Sequence, residues 1–209
     1  MGFLSSFCSA VSSFCSSVGS SISKAVSTIV SLGVDLATKV GEAVKGVAVS
    51  LGILKLDDNF EELGAKAISS DKKPDDFDSI NEYIDYLRND VPLDKEKFDK
   101  LSDKELLERS AVGAAITLKG INEKLDTVVT PEFMAEVAKQ DLETEEIVET
   151  IKAYKDKELN TEDYGAYLND ELNIDDSDKH SDALVLAYQK LEPELTFEQI
   201  EDKVMDLKG

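Results

Sequence analysis

An eleven-residue repeat runs through the first fifty residues, and it constrains the fold more than any other feature of the chain. Phe3, Phe14, Ala25, Leu36 and Val47 share one register. Leu4, Cys15, Val26 and Ala37 share the next, and Phe7, Val18, Ile29, Val40 and Leu51 a third. Two further registers, Cys8, Gly19, Val30, Gly41 and Val11, Ile22, Gly33, Val44, are also apolar or glycine. The remaining registers are mostly serine, as in Ser5, Ser16, Ser27 and in Ser9, Ser20, Ser31. Eleven residues make three turns of a nearly straight helix, so the apolar registers form one stripe that hardly drifts. The pattern predicts a single long amphipathic helix, apolar on one side and hydroxylated on the other.

Charge divides the chain in the same place. The total is −21, yet residues 1–56 carry Lys24, Lys39, Lys45 and Lys55 against only Asp35 and Glu42. The rest of the chain is therefore strongly acidic. Such a balance argues against a nucleic-acid partner, because a phosphate backbone needs clustered Lys and Arg. It suits solubility and a basic protein partner.

Residues 3–34 hold 12 serines and one charge, Lys24. That is not a conventional membrane span, which needs about 20 predominantly apolar residues. A strong apolar face with modest overall hydrophobicity is the mark of a helix lying in a membrane interface. The side expected to enter lipid is Phe3, Leu4, Phe7, Val11, Phe14, Val18, Ile22 and Ile29. The polar or lumen-facing side is Ser6, Ser9, Ser13, Ser17, Ser20 and Lys24. Residues 3 to about 34 resemble lipid-packing-sensor helices, whose polar faces are rich in Ser, Thr and Gly. They are also similar to serine-faced channel-forming peptides. The first resemblance implies an interfacial anchor, the second a pore.

Cys8 and Cys15 lie seven residues apart, roughly 10 Å on a helix, too far for an internal disulfide. They read as small hydrophobes with free thiols. The start, Met1-Gly2-Phe3-Leu4-Ser5-Ser6, fits a myristoylation pattern, and Cys8 is a candidate for a second acyl chain. No basic residue precedes Lys24, so a cleavable secretory signal is not expected.

From Asp35 to Lys55 the stripe continues with charges on its polar side. Asp57 to Ile68 reads as a short acidic helix, and Ser69 to Pro74 as a linker. The expected organisation is an arm at 1–56, a short helix and linker at 57–73, and an acidic all-α domain at 74–209. Helix starts are legible there. Ser102 to Glu105 and Thr196 to Gln199 are capping boxes, and Thr130-Pro131 is a cap followed by a first-turn proline. Thr144 and Thr161 are expected to cap helices at 145–157 and 162–172, and a further helix is expected at 178–191. Ala111 to Ala115 is the expected core centre.

No catalytic chemistry is readable. His180, the sole histidine, has no nucleophile motif near it and is expected at the surface. Asp175, Asp176 and Asp178 lack the glycine and the final glutamate of a calcium loop. No phosphate-binding or dinucleotide motif is present. The chain reads as a non-enzyme without cofactor or metal. The leading expectation is a membrane-active protein that inserts into or permeabilises a bilayer and associates with itself there. It would stay soluble before delivery and be membrane-associated at its target. One alternative is a helical assembly subunit that uses the same stripe for oligomerisation without lipid, and another is a soluble bundle with the arm folded back over the acidic domain.

Overall fold

Serine ends each of the first four helices. These are α1 (Ser9–Ser17), α2 (Ser20–Ser31), α3 (Val34–Ser50) and α4 (Phe60–Ser69). In each, the last hydroxyl donates to the carbonyl three residues back: Ser17 to Phe14, Ser31 to Thr28, Ser50 to Val47 and Ser69 to Lys66. The terminal carbonyls of a helix tend to lack intrahelical partners, and these hydroxyls bond one at each of the four exits; Val47 and Lys66 accept the Leu51 and Ser70 N–H groups as well. The computed structural model describes residues 7–208.

The single long helix expected over the repeat is therefore three helices. The eleven-residue pattern fixes which face is apolar but does not require an unbroken rod. Val18 is extended, at φ −118° and ψ 164°, and Gly33 sits at φ 82°, where an L side chain is strained. Both breaks follow a terminating serine. Breaking the rod also lets its pieces wrap a partner: α1, α2 and α3 each pack on α7 (Asp103–Leu125), and α3 reaches α8 (Pro131–Lys139) and α9 (Thr144–Asp156) as well.

The other helices are α5 (Ile80–Asn89), α6 (Lys95–Phe98), α10 (Tyr164–Leu168), α11 (Ile174–Leu191) and α12 (Phe197–Asp206). The fold is all-α, with no strand among the described residues. Ser102 and Thr196 close their capping boxes, and Thr130 accepts the Phe133 N–H. Four starts differ from expectation. α4 begins at Phe60 rather than Asp57, because Asn59 accepts the Glu61 and Glu62 N–H groups. Thr144 is the first helical residue rather than the cap, because Glu143 and Glu146 bond reciprocally around it. Thr161 opens a 3₁₀ turn capped by Asn160, and only Tyr164–Leu168 continues as α-helix. α11 begins four residues early, because Asn173 accepts the Asp176 N–H.

α7 runs through the core. Ala111, Val112, Gly113, Ala114 and Ala115 are all buried, so small side chains let helices approach from several sides. The crossing with α4 is the tightest. A Cβ at Gly64 would strike the Arg109 carbonyl, and one at Gly113 would strike that of Phe60. Apolar residues of α1–α3 and of α7–α12 belong to one buried cluster. The segment read as a linker is tied down too. Lys73 donates to the Ser70 carbonyl, and its ammonium lies 5.4 Å from the centre of the Phe14 ring.

Candidate functional site

The two faces of the arm go to opposite environments. Val11, Phe14, Ile22 and Ile29 are buried, and Phe7 and Val18 are half-buried against the same core. Ser9, Ser13, Ser17, Ser20 and Lys24 are exposed. Phe3, Leu4 and Ser6 lie outside the described residues, as does Gly2 of the acylation pattern. The structure thus brings the described members of the expected lipid-facing set together in or against one core. That core is built from the chain's own helices.

The hydroxyl face is unusual in how it is satisfied. Ser16 donates to the Ser12 carbonyl at 2.9 Å and Ser27 to that of Ser23 at 3.0 Å. With the two terminating serines, four hydroxyls of α1 and α2 bond back to their own helix. Such groups need less from water than free hydroxyls do, so transferring them to a drier medium costs less.

Polar links also join the arm to the body. The Cys8 N–H donates to Oε2 of Glu108 at 3.0 Å, and the Thr28 hydroxyl to Glu132 at 3.4 Å. Lys39 pairs with Asp141 at 2.6 Å. Glu108 is 0 % exposed, and its Oε1 accepts no hydrogen bond; the nearest ammonium, Lys104, stands 3.7 Å away. A carboxylate in the apolar core is costly unless partnered, so its bond to the arm is a natural latch. Sequence reasoning missed Glu108, although it shares a helical face with Val112 and Ala115. Cys8 and Cys15 are free thiols, and burial pushes the Cys15 thiol up, against a hydrogen bond with Ser23 that lowers it.

A cavity of about 220 Å³ opens at the seam between α2 and α7. Ile22, Ala25, Leu118 and Val129 line it, and Lys24, Lys119, Glu132 and Glu162 also border it.

Elsewhere, His180 is 3 % exposed, not at the surface as expected. It lies in the apolar register of α11 with Ala183, Leu184 and Ala187, which was the overlooked signal. Asp175 and Asp176 occupy the first turn of that helix, and Asp176 pairs with Lys179 at 2.6 Å. No cluster of three potential metal ligands occurs among the described residues.

No protein-family model, curated protein or solved structure matches this chain. Its own residues must carry the functional argument.

Proposed function

We propose that the chain is a membrane-active, non-catalytic protein, and that the arrangement described above is its closed form. In it the apolar face of residues 7–50 is stored against the body, with α1, α2 and α3 each packed on α7. The observation that carries this reading is that Ser16, Ser17, Ser27 and Ser31 on the polar side of α1 and α2 bond back to their own helices. Each hydroxyl that already bonds a carbonyl of its own helix lowers the polar cost of exchanging protein for lipid. The apolar side gives up burial in the core and regains it in the acyl region, at about 1.5–3 kcal/mol per large side chain in each direction. Those opposing terms nearly cancel, which leaves the polar links as the control.

Helix length favours an interfacial anchor over a pore. α1 has 9 residues and α2 has 12, about 14 and 18 Å at 1.5 Å per residue, against a hydrocarbon core of about 30 Å. No helix among the described residues is long and apolar enough to cross a membrane. A pore requires the break at Val18 to straighten, so that residues 9–31 form one rod of about 35 Å.

The acidic body is the docking or solubilising part, open to a basic protein partner. The test is co-sedimentation of the full chain with neutral vesicles of two sizes. Packing defects admit the apolar side chains, so binding rises on the smaller vesicles and changes little when anionic lipid is added. No binding at either size, or oligomers that form without lipid, removes this reading in favour of an assembly element.

A further inference from the structure

His180 lies in an aromatic nest built by three helices. Nδ1 is 2.8 Å from the Tyr154 hydroxyl of α9. The imidazole stacks on Tyr167 of α10, with ring centres 5.8 Å apart and planes 15° from parallel. It meets the Tyr154 ring edge-on at 5.1 Å. Tyr164 and Phe133 complete the nest, 6.0 and 6.4 Å from Tyr154. The far end of the chain closes on the same place. The Lys208 ammonium stands 4.3 Å from the centre of the Tyr167 ring and bonds Asp170 at 2.6 Å.

We propose that His180 is an acid-sensitive latch: a second proton on its ring opens the layer formed by α9, α10 and α11, while the remaining helices stay packed. This stands independently of the membrane reading. The neutral ring has one donor and one acceptor nitrogen, and the Tyr154 hydroxyl suits either. The charged ring has two donors, which fixes the tyrosine as acceptor and puts a cation in a buried site. Tyr167 already carries Lys208, so charging His180 sets two cations against one ring.

The charged groups around the nest do not rescue that cation. Asp163, just before α10, and Asp176, on α11 itself, attract a proton to His180, and Lys179 of α11 repels it. Asp176 is engaged by Lys179 at 2.6 Å and Asp170 by Lys208. Tyr154 and Tyr164 stay neutral, since burial drives both far up. The net effect at His180 is a value below its ordinary 6.5, with burial the largest cause. The unfolded chain then takes the proton more readily than the folded one. The stability His180 contributes is complete above pH 6.5, drains as the pH falls toward the depressed value, and is gone below it. Each unit of depression lowers the folded-to-unfolded ratio by about tenfold at low pH.

The test has two independent readings. The imidazole C–H resonances of the full chain have an expected midpoint below 6.5 by NMR titration; a midpoint at or above 6.5 overturns the proposal. Hydrogen exchange, corrected for intrinsic rates, is then compared at two pH values on either side of that midpoint. Protection should fall in α9–α11 and hold in α4 and α7, and His180→Gln should abolish the difference. Uniform loss across the molecule, or the same loss in His180→Gln, overturns it. If the variant does not fold, the wild-type exchange pattern decides: loss confined to α9–α11 supports the latch, and uniform or absent loss overturns it.

Discussion

Two buried polar side chains, Glu108 and His180, each bond a residue far away in the chain, Cys8 and Tyr154. Glu108 accepts the backbone N–H that begins α1, so its loss frees the start of the arm. Glu108→Ala should speed exchange of the Cys8 amide and raise vesicle affinity, while Glu108→Gln, which still accepts, stays near wild type in both. Equal exchange in all three proteins would remove the latch. Asp58 behaves differently. Burial raises its pKa, but the Arg88 guanidinium and the Lys55 N–H win and hold the carboxyl below its ordinary range. Its bond to Arg88 spans 2.6 Å, and both side chains are largely shielded. The stability this pair supplies is present above the ordinary carboxyl value and is lost as pH falls through the depressed one. Urea unfolding of Asp58→Asn at neutral pH should show a loss of about 1.5–3 kcal/mol.

Among the elements, the hinges of the arm separate conformation from packing. Gly33 needs its positive φ, at 82°, whereas Gly19 sits at −58° with open space where a Cβ would point. Gly33→Ala should cost about 1 kcal/mol or more by thermal or urea unfolding, whereas Gly19→Ala should be neutral or slightly stabilising. Equal effects would mean that the breaks are not set by backbone conformation. The element scale is also where the sequence was most legible. The apolar and hydroxyl faces of residues 7–31 stand as the repeat drew them, and the boxes at Ser102 and Thr196 start helices where expected. The break at Val18 was hidden because a serine that bonds back to its own helix reads in sequence like any other polar residue, whereas Gly33 is visible in sequence as a bend. Glu108 and His180 were hidden for a related reason. Each obeys the helical register of its apolar neighbours while carrying a side chain of a type usually found at the surface.

For the whole molecule, the charge division and the shared core pull in different directions. The acidic residues after position 56 repel one another, and the small, weakly charged arm buries its apolar face among the helices they form. Raising ionic strength should therefore raise the melting temperature, since screening relieves the body's self-repulsion and leaves apolar burial intact. A melting temperature that falls with added sodium chloride would show that ion pairs, not burial, dominate. On the proposed membrane-active reading, the arm is the part exchanged for lipid. The chain contains no tryptophan, so Phe7→Trp, at a half-buried position of the arm, gives a single reporter. Its fluorescence in the full-length protein, with small neutral vesicles whose acyl chains carry bromine, tests the stored-arm account most directly. The account predicts a blue shift and strong quenching as lipid is added; an emission spectrum that stays fixed and unquenched in excess lipid would contradict it.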